Sequence, residues 1–233
     1  MSIQLAVQMY LQNPRGKGDK PISKKDLAEA KKIITNNNMK YATHAPLSIN
    51  LCSLTNDYVV DIVVSDMLKT TLCGGIGVVV HTGQKKEMSH KDATKRQKKT
   101  ITKIIRKILT LTDKPCKLLL ETPCGEGTEI CANLKEFREF FYSFDDDIKQ
   151  YLGICIDTCH VYVSGVHPLD YIMEWLQTAQ EIKIELVHYN DSKKSIGSHL
   201  DRHELAGDGC IGLPEMEEIA KLCTNYNIPM VLE

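Results

Sequence analysis

Residues 153–160 read GICIDTCH. An apolar run, Gly153 to Ile156, passes directly into Asp157 and, three residues later, His160. A short apolar run of this kind suits a strand buried on both faces. A carboxylate and an imidazole at its end are costly to bury unless something pairs with them. Both are metal-ligand types, and the pattern decides the fold because it recurs along the chain.

With LGICID (152–157) as the fifth, the runs are IQLAVQMYL (3–11), KYATHAPL (40–47), GIGVVVH (75–81), KLLLE (117–121), IELVHYN (184–190) and IPMVLE (228–233). Most are rich in Val, Ile and Leu without clean alternation, as in a parallel sheet covered on both sides. The stretches between them predict helices over 23–38, 57–75, 90–112, 133–144, 169–180 and 213–227. The first opens on Ser23 and Asp26, a capping-box-like pair. The third carries apolar residues at 101, 104, 105, 108 and 109, a helical stripe. Seven strands alternating with six helices are βαβ units. No linker or low-complexity tract interrupts them, so one domain over 1–233 is expected. An open doubly wound sheet competes with a closed (β/α)8 barrel. No G-x-G-x-x-G follows the first run, which removes the usual dinucleotide fingerprint.

The strand ends favour the TIM barrel. From the second run onward they reach His44, His81, Glu121, Asp157, His188 and Glu233. C-terminal strand ends converge on the barrel face that holds active sites. His160 lies just past one strand end, and Asp201 and His203 lie in the loop GSHLDRHELAGDGCIG (197–212). Asn190 and Asp191 open the path into that loop. A single histidine at a strand end is more often structural than a ligand. Six such residues in register differ, because chance would scatter them over both ends. Imidazole and carboxylate donors without Cys-x-x-Cys suit catalytic Zn2+, Mn2+ or Fe2+ better than a structural zinc site. Nine donors exceed one four-coordinate ion, so two or three ions are expected, with one carboxylate bridging.

Composition narrows the class. Lys and Arg total 29 against 30 Asp and Glu, a formal charge of −1, so a nucleic-acid partner needs a local basic patch. No apolar stretch reaches the ~18 residues of a membrane span. The start, MSIQLAVQMYLQNPRG, is unlike a signal peptide. A monomeric, intracellular protein of the cytoplasm or nucleus is expected. The nine cysteines, odd in number and without Cys-x-x-Cys, predict free thiols that act as small packing residues, Cys159 included.

The motifs THAPLSINL (43–51), VVVHTG (78–83), LLLETPCGEG (118–127), GICIDTCHVYVSGV (153–166) and VHYNDSKKSIGSHLDRHELAGDGCIG (187–212) resemble the endonuclease IV family. These are metal-dependent apurinic/apyrimidinic endonucleases of base-excision repair, and the match runs in order from about residue 3 to residue 233. The resemblance implies a TIM barrel with three zinc ions. His44 and His81 would hold the first. Glu121 would bridge it to a second, completed by Asp157, His188 and Glu233, and these three carboxylates stand at the catalytic centre. His160, Asp201 and His203 would hold the third. The implied reaction is hydrolysis 5′ to an abasic site in double-stranded DNA, leaving a 3′-hydroxyl and a 5′-deoxyribose phosphate. Extruding a nucleotide without a base costs less because no pairing is lost.

For DNA, the loop QNPRGKG (12–18) matches the family's first recognition loop, with Arg15 probing the base stack. Lys193 and Lys194 are phosphate-contact candidates. Lys85 and Lys86 follow a strand end, whereas Lys95 to Lys99 read as a solvated helix face. Leu47 stands where the family has a wedging tyrosine. Two departures accompany the match: the chain begins on what resembles the family's second strand, and it ends at Glu233, before the family's final helix. Read this way, the barrel lacks its first strand and last helix, and Glu233 is expected to fray. A sugar isomerase or epimerase on the same barrel, or an inactive remnant binding DNA or metal, are the competing readings.

Overall fold

The computed structural model describes residues 5–14, 22–178 and 183–233. In chain order its elements are β1 (Ala6–Met9), α1 (Lys24–Asn36), β2 (Lys40–His44), α2 (Asn56–Cys73), β3 (Gly77–His81), α3 (His90–Leu109), β4 (Lys117–Glu121), α4 (Leu134–Tyr142) and α5 (Asp146–Lys149). There follow β5 (Leu152–Asp157), α6 (Thr158–Val163), α7 (Pro168–Thr178), β6 (Ile184–His188), β7 (Asp191–Ser192), β8 (His203–Glu204), α8 (Leu213–Asn225) and β9 (Met230–Val231). Seven strands form one sheet in the order β1-β2-β3-β4-β5-β6-β9, every pair parallel. The two edges, β1 and β9, face each other across a seam that no ladder hydrogen bond closes among the described residues. The TIM-barrel expectation holds, as a nearly closed barrel.

Local chemistry sets the element ends. The Ser23 hydroxyl accepts from the Asp26 amide at 3.1 Å, while Asp26 accepts from the Ser23 amide at 3.2 Å, a complete capping box on α1. The Ser89 hydroxyl caps α3 in the same way, accepting from the Asp92 amide. Gly74 ends α2 in the left-handed region at φ 77°, where a side chain would be strained.

The apolar residues divide into two layers. Ile101, Ile104, Ile105 and Ile108 of α3 are wholly buried in the shell between helices and sheet. Inside the barrel a smaller cluster contains Ala42, Val79, Leu119, Cys155, Leu186 and Val231, with Ala6 packed against it. Strands with one apolar face outward to helices and another inward explain why the runs lack alternation.

Three features depart from expectation. The helices number eight among the described residues rather than six, because α5 and α6 are additional. The loop after β6 contains a short antiparallel pairing of β7 with β8. Cys210 is exposed, so it is not a packing residue; the other eight cysteines are buried, and all nine are free.

Candidate metal centre

Side chains two residues apart on a strand share a face. Advancing two positions from the inner cluster therefore predicts which residues rise above it. Ala42 leads to His44, Val79 to His81 and Leu119 to Glu121. Cys155 leads to Asp157, Leu186 to His188 and Val231 to Glu233. The six strand-end donors thus form a polar layer capping the apolar one. The register reinforces this, since His81 lies directly opposite Glu121 and Asp157 opposite His188.

Glu121 is the hub. It is 1% exposed, and its two carboxylate oxygens face different partners. Oε2 lies 3.2 Å from His44 Nε2 and 3.1 Å from His81 Nε2. Oε1 lies 3.0 Å from His188 Nδ1 and 3.5 Å from His160 Nδ1. Glu233 Oε2 stands 3.1 Å from His188 Nδ1, so Glu233 joins the cluster although it follows the short β9. It is held there rather than frayed: its amide donates to Asn190 Oδ1 at 3.0 Å and its carboxylate accepts from Gln8 at 2.9 Å.

Asp157 answers the puzzle of its own buried run. It is fully buried, and Oδ1 accepts from the His160 amide at 2.8 Å as the N-cap of α6. Oδ2 accepts from Asn190 Nδ2 at 2.7 Å. His160 therefore sits in the first turn of a helix, not on an open turn, and its Nδ1 lies 2.9 Å from the Thr122 carbonyl. That contact leaves Nε2 as the free face. His160 Nε2 and His203 Nε2 stand 3.2 and 3.0 Å from the two oxygens of Asp201. Both nitrogens are buried, yet neither makes a hydrogen bond. Close approach without hydrogen-bond alignment is what donors aimed at a common third point produce.

Four overlapping groups of donor atoms result, each within the reach of one ion: His44, His81 and Glu121; Glu121, Asp157, His188 and Glu233; Asp157, His160 and His203; Cys159, Asp201 and His203. The donor chemistry fits a divalent transition metal. Cys159 is the softest donor among them, and its Sγ already lies 3.8 Å from the Arg202 carbonyl.

The electrostatics pair buried imidazoles with buried carboxylates. Burial lowers the imidazole of His160, but Asp157, Asp201 and Glu121 outweigh it and hold the group well above its ordinary value. For His188, burial is likewise outweighed, by Cys155 and Glu121. Against the upward push of burial, His81 and His188 hold the Glu121 carboxyl well below the usual range.

The other predicted positions fall apart from this cluster. Leu47 is 49% exposed in the loop after β2, its amide donating to the Pro14 carbonyl. Lys193 and Lys194 are exposed beyond β7, and Lys193 Nζ lies 3.7 Å from Glu204. Lys86 is exposed and Lys85 half-buried after β3, while Gln97, inside the basic run of α3, is buried. Arg15 lies outside the described residues. Asp191 is no donor to the cluster: its carboxylate accepts from the amides of Ser192, Gly207, Gly209, Ile211 and Gly212 and so organises the loop. Sequence reading missed Gln8. It stands two residues after Ala6, so the period-two rule that places the six donors also places it in the polar layer.

Residues 5–233 match the family model of xylose isomerase-like TIM barrels. The probable endonuclease 4 of Clostridium botulinum is 30% identical over 97% of this chain and 82% of its own length, and that of Clostridium beijerinckii is 32% identical over the same shares. Endonuclease IV from Thermus thermophilus superposes with TM-score 0.81 at 23% identity, covering 97% of this chain and 81% of that one. A D-tagatose 3-epimerase-like protein superposes at 0.72 with 21% identity over 98% and 81%. The barrel alone is therefore shared by nucleases and sugar enzymes. The chain itself belongs to the endonuclease IV family.

Proposed function

We propose that this protein is a metal-dependent endonuclease that hydrolyses the phosphodiester 5′ to abasic sites in double-stranded DNA, leaving a 3′-hydroxyl and a 5′-deoxyribose phosphate. The observation that carries this reading is the convergence of nine imidazole and carboxylate residues, in groups sharing Glu121 and Asp157, in a chain of the endonuclease IV family. Three zinc ions, or Mn2+ or Fe2+ at some positions, fit the donor set. His44, His81 and Glu121 would hold one, Glu121, Asp157, His188 and Glu233 a second, and His160, Asp201 and His203 a third. When bound, such ions supply Lewis acidity, lowering the pKa of water and neutralising charge on the phosphodiester.

The chain's own residues prepare the site for that chemistry. Glu121 splits its oxygens between two groups, which holds them at a fixed separation. The Thr122 carbonyl, and the Ala45 carbonyl 2.6 Å from His44 Nδ1, turn the histidines so that one ring nitrogen faces inward. Lys193 and Lys194 would meet phosphates and Leu47 would press into the duplex, where an aliphatic side chain displaces bases but offers no aromatic face for stacking.

The fold likeness to an epimerase-like protein makes sugar isomerisation the second reading. The extra group of His160, Asp201 and His203 argues against it, since one or two ions serve that chemistry. The deciding experiment is nicking of a duplex carrying one tetrahydrofuran abasic analogue by zinc-loaded protein, with and without a chelator. Incision abolished by the chelator supports the reading; an intact duplex at full metal loading overturns it.

A further inference from the structure

The polar layer holds one residue per strand of the seven-stranded sheet, and six of the seven are metal-donor types. The seventh, Gln8 of β1, is an amide, a poor metal ligand. Its two ends are both engaged with members of the layer. Gln8 Oε1 lies 2.9 Å from His188 Nε2, and Gln8 Nε2 donates to Glu233 Oε1 at 2.9 Å. His188 turns its other nitrogen, Nδ1, into the cluster, within 3.1 Å of both Glu121 and Glu233. Glu233 Oε1 accepts from Gln8 and lies 4.0 Å from His44 Nε2, while Oε2 faces His188.

We infer that Gln8 is a positioning residue for the metal centre, which fixes the orientation and tautomer of His188 and the carboxylate of Glu233. The inference rests on the metal-centre reading above. An amide suits this place for a specific reason: its acceptor end holds a proton on His188 Nε2, so the proton that metal binding must displace is the one on Nδ1, beside Glu121 and Glu233. The donor end restrains the carboxylate without competing for the ion. A glutamate would supply the acceptor but set a second negative charge against Glu233. A methionine of the same length would supply neither bond.

Gln8 has a second consequence. β1 and β9 are the two edges of the sheet, and no ladder bond joins them among the described residues. The side chain of Gln8 spans this seam, tying β1 to the strand-end residues of β6 and β9. Metal loading and seam closure are thereby linked through one side chain. Ions that lock His188 and Glu233 also lock the partners that hold β1 in place.

The test compares wild type, Q8M and Q8E. Zinc affinity is read by chelator competition, zinc content by elemental analysis, and the His188 ring protons by nitrogen-15 NMR of histidine-labelled protein. Loss of about 10- to 100-fold in affinity for the most weakened ion is expected for Q8M. The His188 Nε2 proton should then exchange quickly with solvent, where in wild type it is protected. Q8E should keep that proton protected while still losing affinity, which separates the two bonds. Circular dichroism checks that each variant folds; if Q8M does not, the wild-type NMR signal and Q8E decide. Q8M with wild-type affinity and a protected proton overturns the role of Gln8 and leaves the metal reading standing. Wild-type protein that takes up no zinc overturns the metal reading, and this role with it.

Discussion

A buried carboxylate needs partners on every side, and Asn190 shows how this chain supplies them. Its amide donates to Asp157 Oδ2 at 2.7 Å, and its carbonyl oxygen accepts from the Glu233 amide at 3.0 Å. One side chain therefore orients a buried acid and the backbone of the residue that completes the cluster. Asn190→Ala should leave Asp157 short of a donor and release Glu233. A fall of about 10- to 100-fold in zinc affinity, with far-UV circular dichroism unchanged, is the expected result. Unchanged affinity in that titration would show that Asp157 and Glu233 hold their places without it. Asn190→Asp should be worse than Asn190→Ala, because it sets a like charge beside Asp157.

Among the elements, the loop joining β7 and β8 to α8 depends on Asp191. Five backbone amides point at one buried carboxylate, and a Cβ on Gly209 would collide with it. Asp191→Ala should lower stability by about 3 kcal/mol or more, since each orphaned amide costs about 1–3 kcal/mol unless water replaces the acceptor. Zinc content should drop as well, because the β7–β8 pairing carries His203. Denaturant melts and elemental analysis read both; a loss below about 1 kcal/mol would contradict the anchoring role. Asp191 also marks where sequence reading ends. A polar residue that closes an apolar run is visible as a pattern, and His44, His81, Glu121, Asp157, His188 and Glu233 are legible that way. Whether such a residue faces the cluster or a loop depends on contacts far along the chain, so the pattern alone does not tell Asp191 from Asp201, and only the family resemblance separates them. Helix α6 is hidden for a related reason: its capping acid, Asp157, carries the pattern of a ligand, and six residues are too few to show a period. Gln8 was hidden by its chemistry, as an amide carries no metal signature outside its place in the layer.

For the whole molecule, the concentration of opposite charges gives stability a different pH dependence with and without metal. In the metal-free protein His160 and His188 sit well above the ordinary 6.5, held there by acidic neighbours against burial. Their stabilisation is complete below 6.5 and is lost as pH rises through the raised values. Glu121, held well below the ordinary 4.5 by His81 and His188 against burial, contributes above 4.5 and loses its share as pH falls through the lowered value. Metal-free protein should thus melt highest between those two limits and less well above them. Zinc competes with the same protons, so its stabilisation grows with pH, by roughly 1.4 kcal/mol per pH unit for each proton displaced. Calorimetry of both forms from about pH 5.5 to about pH 8 should give curves that diverge. Parallel curves would mean that these histidines do not bind the ions.

Most direct of all is incision measured as zinc is returned to metal-free protein. Abasic-site duplex is mixed with protein carrying known zinc equivalents, and the cut strand is sized and its new end identified. Incision 5′ to the lesion with a 3′-hydroxyl product, absent without metal and rising until about three equivalents are bound, is the predicted result. Undiminished cutting by metal-free protein, or an intact duplex at full loading, would contradict it.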